Sequence, residues 1–155
     1  MTFDDFKKEW VGKKVRETIS LWYQCVALVK HYAKLVDGNT LKKFWWSAIQ
    51  GRESWSPFVG LPYTRVFYHG KWYPPKWSIV FFDKTETNKY WHTAIAWQSS
   101  TTELRVIEQN AIHWTGLGTK YIIGIIISIS FLFLYNYFMP MSNWLTYVSV
   151  EALQE

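Results

Sequence analysis

The chain has 155 residues, a formal net charge of +5 and 49% hydrophobic residues. That length suits one domain with a substantial core and not two, and that apolar content excludes wholesale disorder. A single cysteine excludes an internal disulfide framework and a multi-cysteine zinc site, and the four dispersed histidines show no HExxH or His-x-His spacing. The basic balance suits an anionic partner, but no tight Arg/Lys stripe appears, so no nucleic acid is expected. Eleven Trp, ten Tyr and ten Phe are an excess for this length. Most belong in a core, and "KFWWS" and "HGKWYPPKW" are the best candidates for surface platforms.

In chain order, the N-terminus "MTFDDFKKEWVGKKV" is charged and lacks the apolar stretch of a signal peptide. "FDDFKKEWV" reads as a short amphipathic helix with Phe3, Phe6 and Trp10 on one side. Residues 21–36 read as the main helix, with Val26, Leu28, Val29, Tyr32, Ala33 and Val36 forming its apolar face and "DGN" stopping it. Residues 40–76 are rich in Pro, Gly and aromatics and read as short helix and loop. Three strand-like runs follow, "KWSIVFFD", "YWHTAIAWQ" and "ELRVIEQN", separated by the polar turns "KTETNK" and "SSTT". Helix first and antiparallel strands after imply an α+β domain with a meander, spanning residues 1–150 as one unit.

The last third admits two readings. No charge occurs from Tyr121 to Met139, or again before Glu151, and that length just suffices for a transmembrane helix flanked by Lys120. The run is nevertheless rich in Ile and aromatics, and "ISISFLFLYNY" partly alternates as a strand does, so buried strands are preferred.

The residues that carry chemistry are dispersed. Cys25 falls in the first turn of the main helix, where unpaired backbone N–H groups and the helix dipole favour a thiolate. Gln24 before it could offer its side-chain amide to an oxyanion. A lone cysteine on an apolar helix is also simply a small core residue. In "YWHTAIAW", alternation puts His92, Ala94 and Ala96 on one face, the alanines leaving room for another element or a substrate. A structural histidine would read the same way. In "RVIEQN", Glu108 and Asn110 point one way and Ile107 and Gln109 the other. A carboxylate or amide there could orient an imidazole, or it could be a solvated strand end.

"YQCVALVKHYA", "HTAIAW" and "VIEQN", in that order, resemble the CHAP family, the cysteine, histidine-dependent amidohydrolases/peptidases of phage lysins and bacterial wall enzymes, within the papain-like and NlpC/P60-like group. The opening helix is similar too, and "TGLG" with "YNYFMPMSNWLTY" weakly resembles the family's closing turn and last strands. The resemblance implies N-terminal helices packed on an antiparallel sheet, Cys25 as nucleophile, His92 as general base and then acid, and Glu108 as the orienting member. It further implies Asn110 as an auxiliary, Gln24 as oxyanion donor, and bacterial peptidoglycan as substrate. Many members bind calcium through acids before the cysteine and two residues after it. Here Arg16, Thr18 and Ala27 stand there, so the calcium site is expected to be lost and no cofactor is expected. Trp77-Ser78 replaces a Gly-Asp before the first core strand, which puts that turn in question.

The expectation is a phage-encoded hydrolase, an endolysin or a virion component with possible assembly partners. It would act at the bacterial cell wall from the host cytoplasm or from the particle. The alternatives are a lytic protein anchored by a membrane helix at 121–139, a catalytically silent wall-binding or structural protein, and a cellular amidase or thiol protease acting on small peptides.

Overall fold

Two helices and six strands carry the chain in the computed structural model, with the helices first. It describes residues 1–16, 25–42, 44, 48, 56–67, 74–82, 92–99 and 103–109, and the backbone of 123–128 and 134–140. Helix α1 (Phe3–Trp10) is set by a capping box. The Asp5 amide donates to Thr2 Oγ1 at 3.1 Å while the Asp5 carboxylate accepts from the Thr2 hydroxyl at 2.6 Å. Phe3 and Phe6 turn inward from it and are buried.

Helix α2 (Cys25–Leu35) is the apolar centre. It ends where Gly38 takes φ +71°, a left-handed conformation that suits the residue without a Cβ, and the Asn39 amide donates back to the Ala33 carbonyl. The Tyr32 ring is fully buried, edge-on to Phe3 and Phe6 at 6.0 and 5.4 Å. Each such aromatic contact adds about 0.5–1.5 kcal/mol beyond area burial. Residues 21–24 of the expected helix lie outside the described residues.

The sheet comprises β1 (Tyr63–Phe67), β2 (Ile79–Phe82), β3 (His92–Ser99), β4 (Glu103–Glu108), β5 (Ile123–Ser128) and β6 (Leu134–Pro140), in the order β1-β6-β2-β3-β4-β5. All five pairings are antiparallel. The domain is therefore α+β. The meander expected from the three strand-like runs continues through β5, after which β6 crosses back and inserts between β1 and β2. Strand β1 corrects the loop reading of 40–76: "YTRVF" is short, and its pairing partner lies some seventy positions on, with Val66 opposite Tyr137. Local pattern carries no record of such a distant partner.

Residues 123–128 and 134–140 are strands, which overturns the alternative of one membrane helix over 121–139. Among the described residues no helix is long and apolar enough to cross a membrane. Ile79, Phe81, Ile95 and Ile107 share one core cluster with α1 and α2. Val80, Phe82, Ala94, Ala96 and Val106 alternate with them and are also fully buried. A sheet covered on both faces reads as continuous apolar runs, as "SIVFF" does.

Candidate active site

The start of α2, the start of β3 and the end of β4 meet in one place. Phe82 pairs with His92 across β2 and β3, and Ile95 with Ile107 across β3 and β4, so the antiparallel ladders carry His92 and Glu108 toward the same end of the sheet. The His92 Nε2–H donates to Glu108 Oε2 at 2.7 Å. A carboxylate only accepts, so this bond puts a proton on Nε2 and turns Nδ1 to the other side of the ring. Cys25 lies close enough to the imidazole to act on its titration, both by hydrogen bonding and by charge. The Phe82 ring stacks on the imidazole at 5.8 Å and holds its plane.

All three side chains are buried, with Cys25 the nearest to the surface at 8% exposed against 2% for His92 and 0% for Glu108. Burial acts on His92 most strongly and pushes its pKa down. Hydrogen bonding with Cys25 and Glu108, together with the charges of both, outweighs it and raises it to about 10. The imidazole is therefore held as a cation across neutral pH. Glu108 Oε1 has no hydrogen-bond partner among the described residues.

Ala94 and Ala96, expected to leave room beside the histidine, are fully buried. Their small size lets other parts of the chain close on that face. Gln24, Asn110 and Thr18 lie outside the described residues. Of the other positions that bear on calcium, Arg16 and Ala27 line a pocket beside α2.

Sequence reasoning missed one residue beside the site. Gln109, fully buried, clamps the segment that leads toward α2: its Oε1 accepts from the Val15 amide at 2.8 Å and its Nε2 donates to the Val15 carbonyl at 2.9 Å. The signal available was its alternation with Glu108, which turned it to the helix side, but its partner sits 94 positions away. The aromatic platform candidates divide. Phe44 of "KFWWS" is fully buried, whereas Trp77 of "HGKWYPPKW" is 38% exposed. Trp77 also answers the question raised by its place before the first core strand. It keeps φ +74°, the conformation a glycine would supply, held by its own amide on the Ala96 carbonyl at 2.7 Å and by the Tyr32 hydroxyl on its carbonyl at 3.1 Å.

No family model matches the chain, and no curated protein matches it. Among solved structures, a wild-type endolysin, LysIME-EF1, is similar at TM-score 0.66 and 15% identity over 90% of this chain and 64% of that one. Ly7917 is similar at TM-score 0.60 and 19% identity, and in its complex with the hydrolyzing product of MDP at 0.60 and 17%, each over 86% of this chain and 59% of that one. The chain thus spans about three-fifths of the length of these structures, with which it shares a fold.

Proposed function

We propose that the chain is a CHAP-type thiol hydrolase that cuts peptidoglycan, with Cys25 as nucleophile, His92 as general base and acid, and Glu108 as the group that orients the imidazole. The observation that carries this reading is the buried His92, hydrogen-bonded to Glu108 through Nε2 and near enough to Cys25 for the thiol to raise its pKa. The fold shared with an endolysin and with Ly7917, whose complex holds a hydrolysis product of MDP, a peptidoglycan fragment, supports the substrate class.

An imidazolium beside a thiol favours the thiolate, which is the attacking species. The Cys25 sulfur adds to the carbonyl carbon of a peptide or amide bond, and the carbonyl π electrons move onto oxygen. In this reading Gln24 offers its side-chain amide to that oxyanion, and Asn110 is an auxiliary. As the C–N bond breaks, the His92 Nδ1–H protonates the leaving amine, leaving a thioester on Cys25. His92, now neutral at Nδ1, takes a proton from water, whose oxygen attacks the thioester and releases the acid. Glu108 accepts from Nε2–H and holds the imidazole in line. Position 16 carries a guanidinium and position 27 a methyl group, neither of them an oxygen donor, so this reading assigns no calcium to the reaction. A phage setting, either endolysin or virion component, belongs to the same proposal.

Loss of turbidity of purified cell walls tests it. Wild type should clear the suspension and Cys25→Ala should not, with both proteins giving the same melting curve. Equal clearing by both removes Cys25 as nucleophile. Clearing by neither, with hydrolysis of short free peptides by wild type alone, moves the substrate away from the wall.

A further inference from the structure

The turn that leads into β2 holds an indole which the reaction does not use. The Ser78 amide donates to the Pro75 carbonyl at 3.2 Å, which puts Lys76 and Trp77 at the corner. Trp77, in the third position, keeps φ +74°, the conformation a glycine supplies in a type II turn. The same residue opens a bulge against β3. The Trp77 amide donates to the Ala96 carbonyl at 2.7 Å, and the Ala96 amide donates to the Ser78 carbonyl at 2.8 Å. Two residues thus oppose one, and the first position of such a bulge is again a glycine position.

Backbone strain of this kind clusters at sites that bind or react. Packing uses only part of the Trp77 ring. Phe3 backs it at 6.2 Å, while 38% of the residue stays exposed, about 100 Å². A second indole adjoins it: Trp97 follows Ala96 on β3, and the Lys7 ammonium from α1 sits 3.1 Å over its ring. Tyr32, two turns after Cys25 on α2, donates its hydroxyl to the Trp77 carbonyl and ties this corner to the helix of the nucleophile.

The exposed indole area is what one sugar ring covers with the face that carries its C–H bonds. A stable protein interface takes about 800 Å² a side, many times as much. The Lys7 ammonium supplies N–H donors for the hydroxyl and acetamido oxygens at the rim of such a ring. Indoles also take quaternary ammonium groups, but the charges of Lys7 and Lys76 repel a cationic ligand. A nucleic-acid strand needs a track of cations along its backbone, and the chain has no tight Arg/Lys stripe.

We propose that Trp77, with Trp97 and Lys7 beside it, is a stacking platform for an N-acetylated sugar ring, and, resting on the hydrolase reading above, that it holds the glycan strand whose peptide Cys25 cuts. Positions 92 and 97 of β3 are about 17 Å apart, so one glycan strand reaches both the platform and the histidine.

NMR of the Cys25→Ala chain, titrated with the tetramer of N-acetylglucosamine, reads the platform through its indole N–H signals. Those of Trp77 and Trp97 should move, together with the amides of residues 76–78 and 96–98. Trp77→Gly in the same background should bind the tetramer about three- to tenfold more weakly, and Trp77→Phe should fall between the two. Three results would each overturn the assignment: unmoved Trp77 and Trp97 signals, equal binding by a folded Trp77→Gly, or tighter binding of an oligodeoxynucleotide or of phosphatidylglycerol vesicles. Peptide-free glycan strands added to the wall-clearing assay test the link to the reaction. They should slow clearing by wild type and slow clearing by Trp77→Gly less. Equal slowing of both overturns that link. Failure of both proteins to clear walls sinks the hydrolase reading and leaves the titration to decide the platform.

Discussion

Trp77 sits in a backbone conformation that penalises any side chain with a Cβ by about 1–2 kcal/mol. Its φ is +74°, the one positive φ outside glycine among the described residues. Its ring lies 6.2 Å from Phe3 and is partly exposed, so it recovers only part of that strain. Trp77→Gly should therefore change stability by no more than about 1 kcal/mol, although it deletes the largest side chain type, because relief of strain offsets the lost contact. Chemical denaturation checks this. Glu108 makes a sharper case. Its hydrogen bond and charge help to raise the His92 pKa to about 10, so Glu108→Gln lowers it. The alkaline fall of the pH–rate profile, expected near 10 in wild type, should move to lower pH in the variant, and activity should drop by roughly 10²–10⁴-fold. The same raised pKa makes His92 a source of stability that is complete below its unfolded value of 6.5 and lost as pH rises through about 10. Asp37 behaves similarly for a different reason. Burial, only partly offset by the hydrogen bond from the Tyr63 hydroxyl at 2.5 Å, raises it from 3.8 to about 6. Its contribution is full below 3.8 and lost as pH climbs through about 6, so the difference in melting temperature between pH 5 and pH 8 should shrink in Asp37→Asn.

Elements meet at the site through long-range polar contacts that a local pattern does not display. Gln109, just after β4, grips both polar groups of Val15, and that grip ties the chain after α1 to the end of the sheet that carries His92 and Glu108. Gln109→Leu leaves a buried amide and carbonyl unpaired at about 1–3 kcal/mol each, and should lower the melting temperature and the turnover number together while His92 keeps its charged state. Two-dimensional NMR of the imidazole separates this from direct loss of the proton relay. Strand β6 is the other organising element. Tyr137 lies opposite both Val66 of β1 and Val80 of β2, so it occupies a central ladder. Tyr137→Pro removes a ladder donor there and should cost about 3 kcal/mol or more, a large share of an ordinary domain's stability. Thermal unfolding measures it.

For the molecule as a whole, amphipathic periodicity made both helices legible. Phe3, Phe6, Val29 and Tyr32 face inward where their spacing puts them. The runs holding β2, β3 and β4 were legible too, because a strand covered on both faces must be apolar throughout its length. The order cysteine, histidine, acid was readable as a list of reactive residue types. Their meeting was not, since it depends on ladder registers and on where α2 begins over the sheet. The chemistry of single residues and the period of each segment are properties of the chain alone, because they depend on neighbours within a few positions. The tertiary structure alone decided that "YTRVF" is an edge strand, that β6 crosses back to sit between β1 and β2, that Ala94 and Ala96 are buried, and that Gln109 holds Val15 from 94 positions away. Those outcomes follow from pairing and packing between segments far apart in sequence, where burial energy and backbone hydrogen bonding choose among partners that local pattern leaves equivalent.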